Sequence, residues 1–184
     1  MKKIGVILAR FQPIHNGHLA LIKKASEEND EVHVFIGSAD KFNERNPIPV
    51  NIRRELVLNA INEAEIKNCS VHLLDDLTNE SDNSHDWGFY LYSKVVTKIQ
   101  QSDFTIYYSD GFEIITSWFP GFLLRNNVSL SLLARNATES GISATKVRNM
   151  IMQDAYNLKD CVPTCVYEQK NTIKNLIEIS KLKS

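Results

Sequence analysis

Along the chain, unbroken apolar runs of strand length alternate with longer segments whose apolar positions recur with helical spacing. KIGVILA (residues 3–9) is a short apolar run of the kind a strand covered on both faces requires. NGHLALIKKASEEN (16–29) sets Leu19, Ile22 and Ala25 on one helical face and keeps Lys23, Lys24, Glu27 and Glu28 off it, which predicts an amphipathic helix. EVHVFIGS (31–38) reads as a second strand, NIRRELVLNAINEA (51–64) as a second helix and SVHLLD (70–75) as a third strand. A polar loop, DLTNESDNSHD, leads into WGFYLYSKVVTKIQQ (87–101), a third helix. FTIYYS (104–109) and VSLSLLA (128–134) supply two more strands, and GFEIITSWFPG between them predicts a short helix ended by Pro120 and Gly121. SATKVRNMIMQD (143–154) follows as a helix, then a proline-containing turn, then EQKNTIKNLIEISKLK as a terminal helix.

Strands alternating with helices predict an α/β architecture: a Rossmann-like three-layer α/β/α fold around a mainly parallel five-stranded sheet. Residues 1–184 are expected to form a single domain, with 168–184 its C-terminal helix. In such sheets ligands bind beyond the carboxyl ends of the strands, and the first strand-to-helix turn borders the site. Here that turn is LARFQPIHNGHLALI (8–22).

Composition narrows the classes of partner. Hydrophobic content of 43% and charged content of 23% are globular, and a net charge of −1 supplies no field for wrapping nucleic acid. The longest apolar runs are too short to cross a membrane. MKKIGVILARF imitates a signal peptide only until Arg10 interrupts it, with no small-residue cleavage site after, so a cytoplasmic protein is expected. Cys69, Cys161 and Cys165 have no framework spacing and read as reduced structural thiols.

His15 and His18 are three apart, so a helix beginning near Asn16 holds both at its positive end, with Arg10 just upstream. Amide groups, two imidazoles and a guanidinium together suit a phosphate chain, and Gly17 lets a ligand approach the backbone. A metal centre is the weaker reading, because two histidines with no neighbouring carboxylate or thiol supply too few ligands.

These residues resemble a known family. RFQPIHNGH is similar to the signature of the nucleotidylyltransferase superfamily, which sets H-x-G-H against the triphosphate of a nucleotide. The superfamily's second signature, I-S-x-T-x-x-R, has its counterpart in ISATKVR (142–148), matched at every defined position. Two motifs in the right order carry far more weight than either alone. Ser143 and Thr145 also suit a helix start on physical grounds, and Arg148, about one turn further in, can reach a phosphate.

RFQP, IGSA (36–39) and the segment from Asn46 resemble the archaeal-type nicotinamide mononucleotide adenylyltransferases within that superfamily. Of the group's N-P-F-T-x-x-E-R segment, Asn46, Pro47 and Arg53 match, whereas Ile48, Pro49 and Ile52 depart. The group also has an acidic loop and a tryptophan that stacks on the nicotinamide ring, matched here by Asp75, Asp76 and Trp87; an aromatic face suits a cationic pyridinium. Trp87 can equally be a core residue at a helix start. Late in the chain, LKDCVPTCVYE resembles the group's L-V-P segment.

The resemblance implies adenylyl transfer from ATP to nicotinamide mononucleotide, forming NAD and pyrophosphate. It implies catalytic roles for His15, His18, Arg10 and Arg148, and an ATP site of Ala9, Arg10, Phe11, His15, Gly17, His18, Ile142, Ser143, Thr145 and Arg148. Adenine would lie near Ile142 and YYSDG (107–111), and the acceptor near Gln12, Asn46, Arg53, Asp76 and Trp87. Mg2+ would arrive with ATP and need no protein side chain as ligand. No nucleic acid and no membrane are expected as partners, and self-association into a homo-oligomer is left open. A different phosphate acceptor, such as phosphopantetheine or flavin mononucleotide, or a nucleotide sensor without turnover, are the alternatives.

Overall fold

The computed structural model describes residues 2–78, 84–110, 114–134 and 141–182. The middle of the predicted polar loop (79–83), the opening of the predicted short helix (111–113, including Gly111 of YYSDG) and the last predicted residues of the terminal helix (183–184) lie outside the described residues.

Five strands form one sheet: β1 (Ile4–Ala9), β2 (Glu31–Ile36), β3 (Cys69–Leu73), β4 (Phe104–Ser109) and β5 (Val128–Leu133). They lie in the order β3-β2-β1-β4-β5, and every neighbouring pair is parallel. β1 is central because its alternate residues are apolar on both sides. Ile4, Val6 and Leu8 enter one core, and Ile7 enters the other.

The helices are α1 (Asn16–Glu28), α2 (Val50–Glu63), α3 (His85–Ile99), α4 (Ile115–Trp118), α5 (Gly121–Asn126), α6 (Ala144–Met152), α7 (Thr164–Glu168) and α8 (Lys170–Lys181). Buried residues of α1, α2, α6, α7 and α8 share one core with Val32, Val34 and Ile36; those of α3, α4 and α5 share the other with Phe35 and Ile106. This is the expected three-layer α/β/α arrangement. Among the described residues no helix is long and apolar enough to cross a membrane.

Two local expectations differ. Pro120 and Gly121 do not merely end a helix; Pro120 stands at the N-cap of α5 and Gly121 is its first residue. Likewise the predicted turn around Pro163 opens the short helix α7. Three of the five prolines, Pro49, Pro120 and Pro163, occupy N-cap positions, where a fixed φ near −60° costs no helical hydrogen bond.

Candidate active site

The strand order turns at β1: β2 and β3 lie to one side, β4 and β5 to the other. A ligand crevice belongs at the carboxyl ends of β1 and β4. The loop leaving β1 is shaped for that place. Phe11 takes the left-handed region at φ 50, a conformation costly for an aromatic residue, and its buried side chain lies against His18 with ring centroids 4.8 Å apart.

His15 then adopts extended backbone and caps α1, its Nδ1 accepting the His18 N–H at 3.4 Å. In the neutral ring this puts the proton on Nε2, which becomes a donor. The two imidazoles stack with centroids 3.8 Å apart and planes 23° from parallel. Gly17 keeps the stack possible. A Cβ there would stand 3.1 Å from His15 Cε1 and Nδ1 and 3.2 Å from Ile142 Cγ2.

The second motif closes the crevice from above. Ser143 caps α6 by accepting the Lys146 N–H at 3.2 Å, and Ile142 is buried beside Gly17. Arg148 crosses to the first loop: Nη1 donates to Gln12 O at 2.8 Å, while Nη2 donates to Thr145 Oγ1 at 3.3 Å. Between the motifs is a cavity of about 140 Å³. Its walls are His15, Gly17, His18 and Leu21 of the first motif and α1, Ile142, Ser143 and Ala144 of the second, and Ser109 and Leu133 from the ends of β4 and β5.

The electrostatics suit an anion. Burial lowers the pKa of Arg148, and the nearby Arg10 lowers it further. Arg53 is brought down to about 10, first by burial and then by Arg10, with Asp76 and Asp40 opposing. Guanidinium groups that repel one another in the free protein would be relieved by a polyphosphate.

The acceptor-side residues are placed differently. Gln12 is buried and clasps Ile48, accepting its N–H at 2.9 Å and donating to its carbonyl at 3.3 Å. Asn46 is fully buried, its N–H directed to Asn43. Arg53, also fully buried, donates through Nη1 to Arg10 O and Gly37 O, each at 2.8 Å, and through Nη2 to Ser38 O at 2.9 Å. Its guanidinium thus staples the loops after β1 and β2 and offers no open fork. Asp76 Oδ1 accepts from Ser38 Oγ at 3.0 Å. Trp87 is 8% exposed and meets Trp118 edge-on, centroids 5.8 Å apart.

Ser109 belongs to YYSDG, the segment expected near adenine; sequence reasoning missed Leu21 and Leu133 as walls, although Leu133 ends its strand, where a parallel sheet binds its ligands. It also missed the two hydrogen bonds by which Asn16 meets the turn at Asp160 and Cys161.

The chain is similar to several known proteins. Residues 6–150 match the family described as cytidylyltransferase-like. A nicotinamide-nucleotide adenylyltransferase of Thermococcus kodakarensis is 36% identical over 75 residues, 40% of each chain. Another, from Methanolobus tindarius, is 41% identical over 69 residues, which is 37% of this chain and 40% of that protein. The matched stretch thus spans about two-fifths of the curated relatives' length. Among solved structures, a bifunctional NMN adenylyltransferase/ADP ribose pyrophosphatase from Francisella tularensis, complexed with AMP and a manganese ion, superposes with a TM-score of 0.73 at 18% identity, covering 98% of this chain and 52% of that one. A protein described as a nicotinate-nucleotide adenylyltransferase, from Vibrio parahaemolyticus, gives a TM-score of 0.68 at 18% identity over 96% of both chains.

Proposed function

Because the chain belongs to the cytidylyltransferase-like family, we propose that it transfers the adenylyl group of ATP to the phosphate of nicotinamide mononucleotide, giving NAD and pyrophosphate. The observation that carries this is the meeting of H-x-G-H and ISATKVR across one cavity, with Arg148 reaching the first loop. The names of the relatives support the choice of acceptor.

An acceptor phosphate oxygen attacks the α-phosphorus of ATP. The bond from that phosphorus to the bridging oxygen breaks, and pyrophosphate leaves with the electron pair. No covalent intermediate is required, so the protein's part is positioning and charge stabilisation. His15 and His18, with Arg10 and Arg148, take the phosphates and the charge that develops on them. Ser143 and Thr145 hold the β- and γ-phosphates, and Ala9, Phe11, Gly17 and Ile142 line the nucleotide's path. Adenine lies near Ile142 and the end of β4, where Ser109 of YYSDG is one of the cavity walls.

On the acceptor side, Gln12 and Arg53 act through the backbone they hold, Asn46 through the turn it forms with Asn43, Asp76 through its bond to Ser38, and Trp87 contributes packing rather than a stacking face. Mg2+ would accompany ATP, would need no protein side chain as ligand, and would supply charge neutralisation on the phosphates. Among the described residues no group of three or more His, Cys, Asp or Glu side chains could hold a metal ion. We take residues 1–184 as one catalytic domain working in the cytoplasm.

The test is pyrophosphate release with ATP or CTP as donor and nicotinamide mononucleotide, nicotinic acid mononucleotide, phosphopantetheine or flavin mononucleotide as acceptor. ATP with the nicotinamide nucleotide should turn over fastest. Turnover only with a non-pyridine acceptor would reassign the substrate, and nucleotide binding without turnover on any acceptor would make the protein a sensor.

A further inference from the structure

We infer that Asn16 is a positioning residue for this site, and that the turn at Leu158–Asp160, beyond the family-matched residues, fixes through it where the phosphate cradle stands. Asn16 is the first residue of α1, whose backbone N–H has no partner within the helix. Cys161 O accepts that N–H at 3.0 Å, and the carbonyl just before it, Asp160 O, accepts Asn16 Nδ2 at 3.0 Å. One bond would fix a distance; two, to consecutive carbonyls, also fix the rotation of the first turn.

The carbonyls are themselves held. Cys161 N–H donates to Leu158 O at 2.9 Å, and Leu158, Cys161 and Val162 are buried in the core that α1 shares. On the other flank Arg148 grips Gln12 O. The loop carrying Arg10 to His15 is thus clamped at Gln12 and at Asn16, both times by residues that follow the last strand of the sheet. Since His15 and His18 stack in direct contact, a shift of Asn16 passes straight to both rings.

This inference rests on the proposed reaction, so its test has an arm that does not. Asn16→Ala removes the side-chain donor and leaves the backbone one. The expected result is a fall in kcat of about ten- to a hundredfold, a KM for ATP within about twofold, and a thermal midpoint within about 3 °C. Asn16→Gln, which restores a donor on a longer arm, should recover part of kcat. In the free protein, the imidazole NMR resonances of His15 and His18 should move in Asn16→Ala while those of His33 and His72 stay. Unmoved His15 and His18 resonances, or an unchanged kcat, would overturn the inference. If the parent protein turns over neither pyridine nucleotide, the proposed reaction fails, and the resonances alone decide the role of Asn16.

Discussion

Gly17 shows how narrow the tolerances of the cradle are. A methyl group at this position meets His15 on one side and Ile142 on the other. The imidazole must give way, loosening its hold on the His18 N–H. Alanine also favours helix over glycine, by up to about 1 kcal/mol. Gly17→Ala should therefore leave the thermal midpoint within about 3 °C while kcat/KM for ATP falls about ten- to a hundredfold. Steady-state kinetics beside a melting curve would check this; parent-like kcat/KM would mean that the placement of His15 is not limiting. The residues of the two motifs were legible in the sequence because each carries its chemistry at fixed spacing within one turn. The contacts of Arg53 and Trp87 were not, since they depend on distant partners: backbone carbonyls at residues 10, 37 and 38, and the indole of Trp118. A side chain's type announces what it can bind, but the fold chooses which group reaches it.

Among the elements, the helical layer of α3 and α4 depends on a second glycine. A Cβ on Gly88 would lie 2.0 Å from Trp118 O and 2.7 Å from its carbonyl carbon, and backbone cannot swing aside as a side chain can. Gly88→Ala should destabilise the protein by about 2 to 3 kcal/mol, measured as a lower urea midpoint with unchanged slope. A midpoint equal to the parent's would mean that α4 shifts freely against α3. Strands and long helices were readable because burial on two faces, or on one stripe, writes its period into the chain. The short helices α5 and α7 were not, for they have too few turns to show a period and each begins behind a proline that reads equally as a stop.

For the molecule as a whole, stability on acidification depends on a histidine pair away from the cavity. His33 of β2 and His72 of β3 stack, with Nδ1 of the first 2.9 Å from Nε2 of the second. Burial, then His33 and Lys98, lower the pKa of His72 from 6.5 to about 4; burial lowers that of His33 against the pull of Glu31, itself paired with Lys2. With folded values below the unfolded ones, the unfolded chain binds more protons between about pH 6.5 and 4. The pair's contribution is complete above that window and is lost as pH falls through it. Urea midpoints of the parent should drop across the window more steeply than those of His72→Phe, which keeps a ring against Phe35; equal slopes would remove the pair from the account.

The clamp that joins Gln12 to Arg148, and Asn16 to Asp160 and Cys161, also has a meaning in time. During synthesis the first motif leaves the ribosome well before the groups that hold it in place, which lie more than a hundred residues further along. The nascent chain can pair β1 with β2 and bury α1 long before it owns a working cradle. Competence then arrives only when Arg148, Asp160 and Cys161 have emerged, and a product truncated before Ile142 would fold in part yet lack the second wall of the cavity.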